Sequence, residues 1–251
     1  MSVSMPPSQK PADPPRFLPA GDGAVVVEFG SAVDEALSDR VMAMDARIAE
    51  AGIEGIVETV PTYRSLLVVY DPLAIRARQL IPRLAELAAN AGEATAVGRR
   101  WVIPVCYGGD HGEDLEWVAK VHDMTPEEVI ALHSEAIYRV YMIGFTPGFA
   151  YLGGLPEILH TPRRETPRTL VPAGSVAIGG QQAAVFSVAA PSGWHMLGRT
   201  PVRTFDLKRD DPFLIAPGDR IRFSPVAAAE FAALAARAEA GDIVAWHEEK
   251  A

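Results

Sequence analysis

The stretch from Ile137 to Pro201, IYRVYMIGFTPGFAYLGGLPEILHTPRRETPRTLVPAGSVAIGGQQAAVFSVAAPSGWHMLGRTP, constrains the fold most. It packs glycine, proline, arginine and aromatic residues far more densely than its flanks. Glycine admits positive φ and close backbone approach, proline fixes loops, and arginine offers a rigid fork of donors to anions. Strand candidates at Tyr138 to Ile143, Ser175 to Ile178, Ala183 to Val188, Arg203 to Leu207, Phe213 to Ile215 and Arg220 to Phe223 are punctuated by these residues. Short strands at such spacing predict a barrel or sandwich. An alanine-rich helix from about Pro225 to Ala240 and a last strand at Ile243 to Trp246 complete this half.

The first half reads differently. Ala24 to Phe29, AVVVEF, is β-branched and nearly all apolar, as a covered strand requires. Val33, Leu37, Val41, Met44 and Ile48 fall on one face of a helix that Gly52 closes. Ile56 to Thr59 and Leu66 to Tyr70 form an antiparallel pair across a proline-led turn. A second helix places Leu73, Ala77, Leu80, Leu84 and Leu87 on one stripe, with Pro82 as a kink or as its true start. Trp101 to Tyr107 is strand-like, and Pro104 assigns it to an edge or bulge. Joined to the preceding elements it completes a βαββαβ ferredoxin-like order; otherwise it opens the next domain. Between the halves, Leu115 to His122 reads as a short helix, and Thr125, Pro126 and Glu128 make a capping box for another. The expected class is α+β. A tail occupies residues 1–15, a small ferredoxin-like domain 16–98, and a β-rich domain 99–251.

Composition narrows the function. At 49% hydrophobic, 251 residues can bury a proper core, and the net charge of −9 argues against a general nucleic-acid footprint. One cysteine, Cys106, allows no intrachain disulfide and fits a reducing, cytoplasmic setting. The proline-rich start has no signal-peptide pattern, and no apolar run approaches the ~20 residues of a membrane helix.

No Walker loop or dinucleotide fingerprint is present, and the six histidines stand at least eleven residues apart, too far for a helical zinc motif. Cys106 lies in an apolar strand, where an inert thiol is the ordinary reading. Arg163, Arg164 and Arg168 sit on a loop stiffened by Pro162 and Pro167, poised for a carboxylate or phosphate, and Arg199 resembles them. Phe145, Phe149, Tyr151 and Trp194, beside glycines, line a pocket or a core. His133 and His195 are the histidines best placed for proton transfer.

Together Gly144-Phe145, Pro147-Gly148-Phe149-Ala150-Tyr151-Leu152, Pro167-Arg168, the run from Val171 to Ile178, Gly193-Trp194 and Gly198-Arg199-Thr200-Pro201 carry a resemblance. In that order and spacing, the chain resembles the family of 5-oxoprolinase B subunits, also described as allophanate hydrolase subunit 1 and as the sporulation-kinase inhibitor family. The resemblance implies a cyclophilin-like β-barrel after the small domain, and a C subunit as partner. With an A subunit as well, the assembly couples ATP hydrolysis, with Mg, to opening of the 5-oxoproline lactam. Ser192 stands where family members often carry glycine.

Residue chemistry then suggests roles. Arg168 and Arg199 hold phosphate or carboxylate, Gly174 and Ser175 donate to developing negative charge, and His133 carries a proton. Phe145, Pro147, Tyr151, Gly174, Gln181, Trp194 and Thr200 are the substrate-binding candidates, and no metal site is expected in this chain. Carboxyl transfer in a urea carboxylase-type system and histidine-kinase inhibition are the alternatives.

Overall fold

A computed structural model describes residues 14–89 and 98–247. The expected tail over 1–15 lies outside the described residues except for Pro14 and Pro15. The chain divides into two compact units, Met1–Thr95 and Ala96–Ala251.

In the first unit, β1 (Arg16–Pro19), β2 (Ala24–Glu28), β3 (Ile56–Pro61) and β4 (Ser65–Tyr70) form an antiparallel sheet in the order β1-β2-β4-β3. Helices α1 (Glu35–Ala51) and α2 (Ala77–Ala89) supply the rest of its core, where Val41, Met44, Leu80 and Leu84 meet Val25, Val27, Leu66 and Val68. The ferredoxin-like strand order is present with one substitution of parts: β1, before the βαββα run, takes the edge beside β2 that the sequence offered to Trp101–Tyr107. Asp34 caps α1 and Gly52 closes it at φ 52°, so Val33 falls before the helix and is exposed. α2 starts after Leu73, which is also exposed, and runs through Pro82 in its second turn.

The second unit is a closed barrel. Its strands are β5 (Arg100–Tyr107), β6 (Ile137–Ile143), β7 (Ala150–Gly153), β9 (Ser175–Gly179), β10 (Gln182–Val185), β12 (His195–Arg199) and β13 (Arg220–Pro225). They run in the order β12-β9-β10-β7-β6-β13-β5, and a β12–β5 pairing completes the ring. A short β14 (Trp246–His247) pairs Trp101 and Val102 of β5, whereas β12 pairs Cys106 and Tyr107. Pro104 therefore falls in the part of that β5 edge that neither strand pairs, which is how a residue without an N–H is accommodated in a barrel.

The core gathers Ile103, Tyr138, Leu152, Ile178, Leu197 and Phe223, with α3 (Leu115–Val121), α4 (Pro126–Glu135) and α5 (Ala228–Glu239) contributing Val118, Val129 and Ala238. The expected capping box at Thr125 and Glu128 opens α4. Outside the ring, β8 (Arg168–Val171) pairs β11 (Ala190–Ser192). The expected strands at 203–207 and 213–215 reduce to one bridge, Phe205 to Phe213. Between them the Asp206 carboxylate accepts from Lys208 N, and that of Asp211 from Phe213 N. Such local turns compete with a ladder for the same backbone groups.

Candidate functional site

The turn from Gly144 to Phe149 is drawn tight by backbone bonds from Gly144 N to Phe149 O (3.1 Å) and from Phe149 N to Thr146 O (3.1 Å). Gly148 takes φ 74°, where a side chain would meet Phe205, and Thr204 Oγ1 donates to its carbonyl at 3.0 Å. Phe145 is held at φ 65°, a conformation that costs a non-glycine residue about 1–2 kcal/mol. The residue is 62% exposed, with its ring edge-on to buried Phe149 at 5.5 Å. Phe149 in turn meets Tyr151 at 4.7 Å and Trp194 at 6.1 Å.

These rings wall a pocket of about 270 Å³ that Arg163, Pro167, Ser192 and Gly193 help to close. The Arg163 guanidinium lies 5.3 Å over the Trp194 ring, a cation–π contact that keeps the charge at the pocket. Burial raises the Tyr151 phenol above its ordinary pKa, and the nearby Arg163 charge partly offsets this. Ser192 sits on β11, does not adopt positive φ, and accepts from Trp194 N at 3.2 Å. A side chain is thus accommodated at this position without backbone strain.

A larger hollow of about 540 Å³ shares Arg163 and is lined by Trp117, Val121, Arg164 and His195. His195 is committed within the fold: Nε2 meets Pro162 O at 2.8 Å, and the ring stacks on Trp117 at 4.5 Å. Burial pulls its pKa down, against the Pro162 hydrogen bond. Size favours this hollow, but the aromatic pocket gathers more of the side chains that the sequence singled out.

Of the residues given a catalytic or substrate-binding role, Phe145, Tyr151 and Trp194 converge on the aromatic pocket, together with Phe149 and Arg163, and the others do not line it. Arg168 commits both arms of its guanidinium to Asp114, at 2.7 and 2.8 Å, and reaches Glu113 at 3.3 Å. Arg199 donates to Ala173 O at 3.1 Å. Of the backbone and hydroxyl donors that Gly174 and Ser175 were expected to offer developing charge, the Gly174 N–H is engaged by Phe186 O at 2.7 Å and the Ser175 N–H by Pro172 O at 3.3 Å. Ser175 is wholly buried, its hydroxyl 3.6 Å from Met196 Sδ. Thr200 is buried, donating its N–H to Gly174 O at 2.8 Å. Pro147 and Gln181 are exposed on turns. His133 is buried in the barrel core, and its pKa falls to about 3. Cys106 is buried, and burial pushes its thiol up.

Sequence reasoning missed Asp114. The available signal was three arginines within six residues with only Glu165 nearby, a charge imbalance that calls for a distant carboxylate. Asp114 accepts from Arg164 (3.0 Å), twice from Arg168, and from Met196 N (2.8 Å). Burial alone would raise its pKa, but the hydrogen bonds from Arg168 and Met196 and the charges of Arg168 and Arg164 outweigh it, leaving the carboxyl below its ordinary range.

A seven-stranded closed barrel with an aromatic pocket beside the outer β8–β11 pair defines the class. Residues 15–215 match the family described as carboxyltransferase domain, subdomain C and D. The 5-oxoprolinase B subunit of Bacillus subtilis is 40% identical over 218 residues, covering 81% of this chain and 89% of that protein. The solved structure of TTHA0988 superposes with a TM-score of 0.74 at 36% identity, over 81% of this chain; the chain spans 40% of TTHA0988. The Kluyveromyces lactis urea carboxylase shares the fold, with a TM-score of 0.79 at 20% identity over 99% of this chain and 25% of that one. The chain belongs to the family of 5-oxoprolinase B subunits.

Proposed function

We propose that this chain is the B subunit of a 5-oxoprolinase, working with A and C subunits to open the lactam of 5-oxoproline to glutamate with hydrolysis of ATP. The observation that carries the reading is the convergence of Phe145, Tyr151 and Trp194 on one pocket, with the Arg163 guanidinium 5.3 Å over the Trp194 ring. The substrate is a compact five-membered ring with one carboxylate. Aromatic walls suit the ring, Arg163 suits the carboxylate, and the hydroxyls of Tyr151 and Ser192 are the polar groups at hand for the amide. The 40% identity to the B. subtilis protein supports the same reading. The urea carboxylase likeness, at 20% identity, bears on the fold alone and does not favour carboxyl transfer.

The donor set does not fit magnesium-bound ATP. Arg163 is the one cation that lines the pocket, and the neighbouring Arg164 and Arg168 are paired to Asp114 and Glu113. Among the described residues no group of three His, Cys, Asp or Glu side chains is arranged to hold a metal ion. A triphosphate and its metal need several cations or backbone donors and at least one carboxylate. We therefore assign nucleotide binding to another member of the assembly and the acid-binding part of a composite site to this one.

The test is to co-express the chain with candidate A and C subunits and to follow phosphate release with and without 5-oxoproline. Release that depends on 5-oxoproline supports the reading; an assembled complex that gives none overturns it. In the active complex, Arg163→Ala is expected to raise KM for 5-oxoproline roughly 10- to 100-fold, the effect of losing one charge-assisted hydrogen bond, with a smaller change in kcat. An unchanged KM would remove Arg163 from the site.

A further inference from the structure

Asp114 immediately precedes α3, yet its carboxylate does not cap that helix. It is 4% exposed and is saturated by Arg164, Arg168 and Met196 N, while its own N–H donates to Met196 O at 3.1 Å. Both arginines also hold pocket walls through their backbones. Arg164 N donates to Gly193 O at 2.7 Å, and Arg168 pairs with Ser192 across the β8–β11 ladder. One buried carboxylate thus ties the loop carrying Arg163 and Pro167 to the strand carrying Ser192 and to the start of β12. It also neutralises charge: Asp114 and Glu113 take up Arg164 and Arg168, so the neighbouring pocket presents one uncompensated guanidinium, Arg163.

We infer that Asp114 is a positioning and specificity-determining residue that holds the aromatic pocket to a net charge of +1, so that it selects compact monocarboxylates over dianions. The inference rests on the reading of the pocket as acid-binding. It follows from the arithmetic of charge in a partly dehydrated site: a second uncompensated guanidinium would favour a dicarboxylate or phosphate, and a saturated Asp114 removes it. Geometry and charge depend on the same four hydrogen bonds. A neutral isostere at this position therefore alters which acid is preferred, beyond any general loosening.

The experiment measures, by titration calorimetry on the full chain in its assembled complex, the affinities for 5-oxoproline and for glutarate, a dicarboxylate of similar size. The wild-type protein should prefer 5-oxoproline by about tenfold or more. Asp114→Asn should shift that ratio toward glutarate by about tenfold, and Asp114→Glu should bring it back toward wild type. Arg168→Gln, which removes a cation without leaving one unpaired, should move the ratio the opposite way and serves if Asp114→Asn does not fold. A ratio that stays put in either folded variant overturns the inference while leaving the pocket reading intact. If the wild-type complex binds neither acid, or if Arg163→Gln leaves binding unchanged, the pocket reading falls and the inference falls with it.

Discussion

Lowering the pH from 7 to 4.5 is expected to cost about 3 kcal/mol of folding stability through His133 alone, and lowering it to pH 3 about 4–5 kcal/mol. His133 is fully buried on α4, its ring stacked on Phe223 at 4.9 Å. Tyr107, whose burial keeps its phenol protonated, donates to Nδ1 at 2.8 Å, so the neutral ring carries its proton on Nε2, which has no partner among the described residues. A second proton would put a charge in an apolar core, and burial lowers the pKa to about 3. In the unfolded chain the same imidazole titrates near its ordinary value of about 6.5. Between these two values the unfolded state binds more protons, so stability falls as pH falls through that window and is fully present above it. His195, also lowered by burial, acts in the same direction. Denaturant unfolding at pH 7, 6, 5 and 4.5 should show His133→Gln losing about 1.4 kcal/mol per pH unit less than wild type below pH 6. Parallel curves would mean that His133 is not the group responsible.

That burial was not written in the sequence around His133. A histidine in the last turn of a well-capped helix gives no local sign of whether it faces solvent or core, and only the barrel strand carrying Phe223 decides. The capped helices, the apolar strands at 24–28 and 65–70, and the glycine-punctuated barrel were legible because each is written in neighbouring residues. β1 was not, since RFLP has exposed side chains at three of its four positions and owes its place to the free edge of β2. The candidate pocket was legible in its rings: Phe145 and Trp194 each follow a glycine, Tyr151 lies two residues before one, and all three line it. Its charges were not, because the carboxylate that decides which arginine is free lies 54 residues before Arg168.

Gly174→Ala is expected to destabilise the second unit by about 3 kcal/mol or more, a fall in Tm of roughly 6–12 °C. Two costs add. Gly174 takes φ 79°, which penalises alanine by about 1–2 kcal/mol. In addition, a Cβ at this position would stand 2.4 Å from the carbonyl oxygen of Thr200, a backbone atom at the end of β12 that cannot swing aside. Relief would require parting Thr200 from Gly174 O, to which its N–H donates at 2.8 Å, just where Arg199 pairs Ser175. Gly180→Ala is the control: its φ of 63° is similarly left-handed, but a Cβ there meets nothing within 4 Å, so only the conformational penalty of about 1–2 kcal/mol applies. Thermal unfolding of both variants beside wild type separates steric from conformational cost. It also separates the two roles open to Gly174. Alanine keeps the N–H, so a role for that group in stabilising charge during catalysis would show as a fall in kcat of the folded protein, over and above the lowered Tm. Because that N–H is already bonded to Phe186 O at 2.7 Å, turnover by the surviving folded fraction is expected to stay close to wild type at low temperature.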